Sequence, residues 1–112
     1  MEVLKTLDAY EAFVANHQIA VVHVSRDNCS VCHAVLPRIQ ELVARYEGVA
    51  LGNVSADDVP EIAGALSIFT VPVDIIFLEG KEMHREGRFI DLERIESQLN
   101  TIYEGVKGSN LW

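Results

Sequence analysis

Short β-branched runs alternate along this chain with segments of helical period, and that alternation narrows the fold more than any other feature. Ile19-Ala20-Val21-Val22-His23-Val24 is short, apolar and rich in valine, which reads as a buried strand. Val31, Val35, Ile39, Leu42 and Tyr46 follow at helical spacing, and Gly48 ends that helix. Pro37 lies inside it and predicts a kink. Val49 to Val54 reads as a second strand. Strand, helix, strand in this order implies a parallel pair joined by a right-handed crossover.

The rest of the chain extends that unit. Asp58, Pro60 and Glu61 read as the start of a short helix reaching Leu66. Val71 to Leu78 is a third apolar run, and Glu79-Gly80-Lys81 turns it back into a fourth strand, Glu82 to Arg88. Ahead of the first strand, Thr6 to His17 reads as a helix with Asp8 and Glu11 as its capping box. Asp91 caps a last helix carrying Leu92, Ile95, Leu99 and Ile102. The expected fold is α/β, a central mixed sheet flanked by helices on both faces. Residues 1–104 form one domain, and residues 105–112, with two glycines and no apolar period, read as a loose tail.

Composition narrows the function. Nine Lys and Arg against 17 Asp and Glu leave a net charge of −8, which argues against nucleic acid and against anionic membranes. No stretch has the ~18 apolar residues of a membrane span, and the N-terminus lacks the basic start and apolar run of a signal peptide. A cytoplasmic location is the expectation, and disulfides do not persist there. Two cysteines three positions apart in such a compartment suggest redox chemistry or a metal before they suggest a staple.

Those cysteines, Cys29-Ser30-Val31-Cys32, fall where the first long strand ends and the longest helix begins. A thiol there faces unpaired backbone N–H groups and the positive end of the helix dipole, both of which favour thiolate. The spacing lets Cys32 reach Cys29 within one turn. Cys29 is then the nucleophile on a substrate disulfide, and Cys32 resolves the mixed disulfide. Two rivals share the motif. Cys29 to His33 also spells the C-x-x-C-H haem attachment pattern, and the cysteines with His17, His23, His33 or His84 could bind zinc. No second C-x-x-C supports zinc, so no metal ligand is assigned. His33 reads as exposed, His17 and His84 as surface residues, and Asp57, Asp58 and Glu61 as a helix-start cluster.

Over residues 2 to 104 the chain resembles the thioredoxin family. Beside the cysteine pair, Pro37 matches the proline of the family's active-site helix. Thr70-Val71-Pro72 matches the segment at its cis-proline, and Gly80 and Gly87 match two of its glycines. The resemblance implies a cis Val71-Pro72 bond facing the cysteines, with Val71 and Pro72 binding substrate. It implies thiol–disulfide exchange on a protein or low-molecular-weight disulfide, an upstream thiol reductase, and no cofactor beyond the Cys29/Cys32 dithiol. The family's Trp-Cys-Gly-Pro-Cys is here Asn28-Cys29-Ser30-Val31-Cys32, and His23 and Asn53 replace its buried Asp and Lys. Uncharged Ser30-Val31 favours a reductant. His23, beside Asp74 in the neighbouring strand if register follows the family, reads first as the structural partner of a buried acid, with a proton relay to Cys32 as the alternative. These departures also fit a non-catalytic adaptor that keeps the fold.

Overall fold

The computed structural model describes residues 1–109. In chain order the elements are β1 (Glu2–Leu4), α1 (Leu7–Asn16), β2 (Ile19–Ser25), α2 (Ser30–Ala44), β3 (Ala50–Ser55), α3 (Glu61–Ala65), β4 (Val73–Leu78), β5 (Lys81–Gly87) and α4 (Leu92–Ser109). One five-stranded sheet runs β1-β3-β2-β4-β5. Strands β1, β3 and β2 are parallel, β4 is antiparallel to β2, and β5 is antiparallel to β4. The mixed sheet is the expected one, with β1 added at its edge.

Strand β2 sits in the middle, and every one of its residues is buried. Side chains alternate across a strand. Ala20, Val22 and Val24 join Phe13 and Val14 of α1 and Ile62 of α3 in one core. Ile19 and Val21 join Ile39 and Leu42 of α2 and Ile95 and Leu99 of α4 in the other. The same alternation puts His23 on the α2 and α4 face. Gly52 of β3 sits under α1: a Cβ there would lie 2.9 Å from both Leu4 Cδ1 and Phe13 Cε2.

Several local expectations are corrected. Helix α1 is capped by Thr6, whose hydroxyl accepts the Ala9 N–H at 3.0 Å, and not by Asp8, which lies within the first turn. Asp91 does cap α4, accepting the Arg94 N–H at 3.1 Å. Helix α2 contains Pro37 and ends at Ala44, four residues ahead of Gly48. Residues 105–109, read as tail, continue α4, and Val106 packs on the core. The final three residues of the expected tail lie outside the described residues. No helix among the described residues is long and apolar enough to cross a membrane.

Candidate active site

The loop between β2 and α2 is held from both sides. Cys29 is the N-cap residue of α2, with extended backbone. Its sulfur accepts the Cys32 N–H at 3.1 Å, and its carbonyl accepts the His33 N–H at 3.2 Å. The Cys29 N–H in turn bonds the Arg26 carbonyl at 3.2 Å. Cys29 and Cys32 are joined as a disulfide, with Cα atoms 5.3 Å apart. Cys29 is half-buried and Cys32 fully buried. An N–H aimed at Cys29 Sγ also stabilises negative charge there, so the reduced form has a ready partner for a Cys29 thiolate.

Sequence reasoning missed what anchors this loop. Asp57 accepts the Asp27 N–H at 2.7 Å and pairs with the Arg26 guanidinium at 3.2 Å. The Asp27 N–H, aided by Arg26, holds the Asp57 carboxyl below the usual carboxylate range. The Ser55 hydroxyl donates to Asp27 at 3.0 Å. Asp57 therefore braces the cysteine loop instead of starting α3, and Asp58 pairs with Lys5 at 3.2 Å. Only a residue's position one β-strand away signals this role, and sequence pattern does not report that. His33 is exposed as expected, and its Nε2 donates to the Asp27 carbonyl at 2.9 Å.

The Val71-Pro72 bond is cis. The Pro72 carbonyl accepts the Arg88 N–H at 2.7 Å, whereas no backbone hydrogen bond outside helices and strands engages Val71 among the described residues. Arg26 and Val71 line a groove of about 400 Å³, and Arg26 also lines the hollow at Asn28 and Cys29. Arg26 is thus common to the groove at Val71 and the hollow at Cys29. Water reaches the apolar side chains of Val31 at 53%, Phe89 at 81% and Phe69 at 93% exposure.

His23 and Asp74 are opposite one another on β2 and β4. His23 Nδ1 lies 2.7 Å from Asp74 Oδ1, and both residues are fully buried. Burial pushes the Asp74 carboxyl up, and the His23 bond opposes that only in part. His23 Nε2 and Asp74 Oδ2 have no hydrogen-bond partner among the described residues. The pair faces the side of the sheet covered by α2, the helix that carries Cys32. One rung further, Asp74 is paired in register with Glu86, which binds His84 at 2.6 Å and Arg94 at 3.4 Å. His84, read as a surface residue, is only partly exposed. No three His, Cys, Asp or Glu side chains among the described residues are grouped as metal ligands.

A family model described as Thioredoxin matches residues 2–101. The thioredoxin-like protein YdfQ of Bacillus subtilis is 40% identical over 105 residues, covering 94% of each chain. Human thioredoxin domain-containing protein 8 is 27% identical over 109 residues, covering 93% of this chain and 86% of its own. Among solved structures, oxidised thioredoxin O2 of Arabidopsis thaliana superposes with a TM-score of 0.80 at 22% identity, over 91% of this chain and 93% of that one. A mutant thioredoxin of Halobacterium salinarum gives 0.81 at 15% identity, over 91% of this chain and 89% of that one.

Proposed function

The chain belongs to the thioredoxin family of thiol–disulfide oxidoreductases, and on that premise we propose that it reduces protein disulfides in the cytoplasm. The observation that carries the reading is Cys29 at the N-cap of α2, with the Cys32 N–H on its sulfur and Cys32 within bonding reach. The Cys29 thiolate attacks one sulfur of the substrate disulfide. A Cys29–substrate bond forms, the substrate S–S bond breaks, and the released thiolate takes a proton from solvent. Cys32 then gives up its proton and attacks Cys29 Sγ. That expels the second substrate thiol and leaves the Cys29–Cys32 disulfide, with two electrons passed to substrate. An upstream thiol reductase restores the dithiol, and the dithiol itself is the only redox centre. The test is turnover of a disulfide substrate driven by dithiothreitol. Wild type is expected to accelerate it and Cys29→Ser to abolish the acceleration. Equal rates refute the reading.

Val71 offers its free backbone groups to the substrate chain beside Pro72, in the manner of strand addition. His23, oriented by Asp74, takes the Cys32 proton. Its Nε2, without a hydrogen-bond partner among the described residues, is the ring nitrogen left to accept it. His23→Ala is expected to slow resolution of the mixed disulfide, and the deficit should persist in His23→Ala/Asp74→Leu, which also removes the stranded acid. Wild-type resolution in the folded double variant makes the pair purely structural.

A further inference from the structure

The groove beside the cis-proline loop is unlike the surface of the rest of the chain. The protein carries a net charge of −8, yet the charged residues lining this groove are Arg26 and Arg88, with no carboxylate. Its remaining walls include Ile68, Phe69 and Val71. Arg26 is partly satisfied by Asp57. Arg88 is not: it is exposed, its guanidinium stacks 5.4 Å from the Phe89 ring, and no carboxylate pairs with it among the described residues. Arg26, Arg45, Arg85 and Arg94 all hold carboxylates, and of the two arginines that hold none among the described residues, Arg38 and Arg88, only Arg88 lines this groove. The Arg88 N–H is bonded to the Pro72 carbonyl, so its backbone is fixed against the loop where the substrate chain lies.

We propose that Arg88 is a specificity-determining residue, selecting substrate segments that carry an acidic side chain among apolar ones beside the reactive cysteine. This rests on the disulfide-reductase reading and adds to it the chemistry of the preferred substrate. The apolar substrate residues cover Phe69, and the acid meets Arg88, with Arg26 lining the same groove. A polypeptide is the occupant because Val71, whose backbone groups are free to pair with a chain, lines the groove, and Arg26 is shared between the groove and the hollow at Cys29. The acidic surface elsewhere repels such a segment, so the charge pattern also steers it towards the groove.

The test uses the pre-reduced full chain and two quenched disulfide-bridged peptides, identical apart from Glu or Lys flanking the cysteine. A neutral small disulfide, bis(2-hydroxyethyl) disulfide, reports the chemistry alone. The Glu peptide is expected to react about fivefold faster at low salt, the size of an exposed ion pair made and its repulsive counterpart avoided. The ratio should shrink at high salt, fall towards unity in Arg88→Gln and invert in Arg88→Glu. Equal peptide rates in wild type, or a ratio unchanged in both variants, overturn the proposal while the neutral disulfide is still reduced. An equal preference for a small dicarboxylate disulfide overturns the polypeptide as occupant. Failure to reduce any of the three removes the reductase reading and this one with it.

Discussion

Replacing His23 by alanine strands a carboxyl at the centre of the sheet, and the penalty should depend on pH in a defined direction. Burial already raises Asp74 in the folded protein, and the His23 hydrogen bond and charge are what hold it down. Without them the folded state keeps a proton on Asp74 at pH values where the unfolded chain, near 3.9, has released it. The folded state then binds more protons than the unfolded state, so stability falls as pH rises from the unfolded value through the folded one. Each pH unit spent in that window costs about 1.4 kcal/mol. The gap between wild type and His23→Ala should widen only over the pH range in which wild type has released that proton and the variant still holds it. The cavity left by the imidazole adds a loss that does not depend on pH. Urea unfolding of the oxidised proteins at a series of pH values measures both. His23→Ala/Asp74→Asn keeps the cavity and removes the titration, so its gap to wild type should lose the steep slope. A gap for His23→Ala that is flat, or that narrows as pH rises, refutes this account of the buried pair.

Other expectations follow from the same geometry. In the reduced protein, alkylation near neutral pH should label Cys29 first, since Cys32 is fully buried; mass mapping that finds Cys32 first would reverse the assigned roles. Gly52→Ala should destabilise by about 1–3 kcal/mol, because the added methyl meets Leu4 and Phe13, both buried. Thermal unfolding reads it, and an unchanged midpoint would mean that α1 yields freely. Thr6→Ala should cost about 1 kcal/mol and Asp8→Ala clearly less, as only Thr6 caps α1; the reverse order in urea unfolding would restore Asp8 as the cap.

The sequence is most legible where a period is long or a residue type is rare. The strand runs from Ile19 and Val71, the helix from Val31 and the cysteine pair are all visible because valine clusters and C-x-x-C spacing survive without context. Strand β1 is invisible since Glu2-Val3-Leu4 is too short to show a period, and only pairing with β3 makes it a strand. Gly105 and Gly108 look like the end of a helix. Yet Tyr103 and Val106 pack against the second core and carry α4 past both, against a cost of about 1 kcal/mol for each glycine. The His23–Asp74 contact follows from register once the family is recognised, but the row from Asp74 to Glu86 requires the β4–β5 pairing as well. Arg88 is least legible of all. A lone arginine in a loop carries no pattern, and its significance comes from the neighbours that the turn after β5 gives it.

Strand β2 is buried along its whole length and hydrogen-bonded on both sides, by β3 and by β4. Its amides can meet solvent deuterons only when the sheet itself opens, so they belong among the last to exchange. The cysteine loop grows directly from its end, and His23 sits within it. The thiols are therefore anchored at the end of the segment whose opening requires the whole sheet to open.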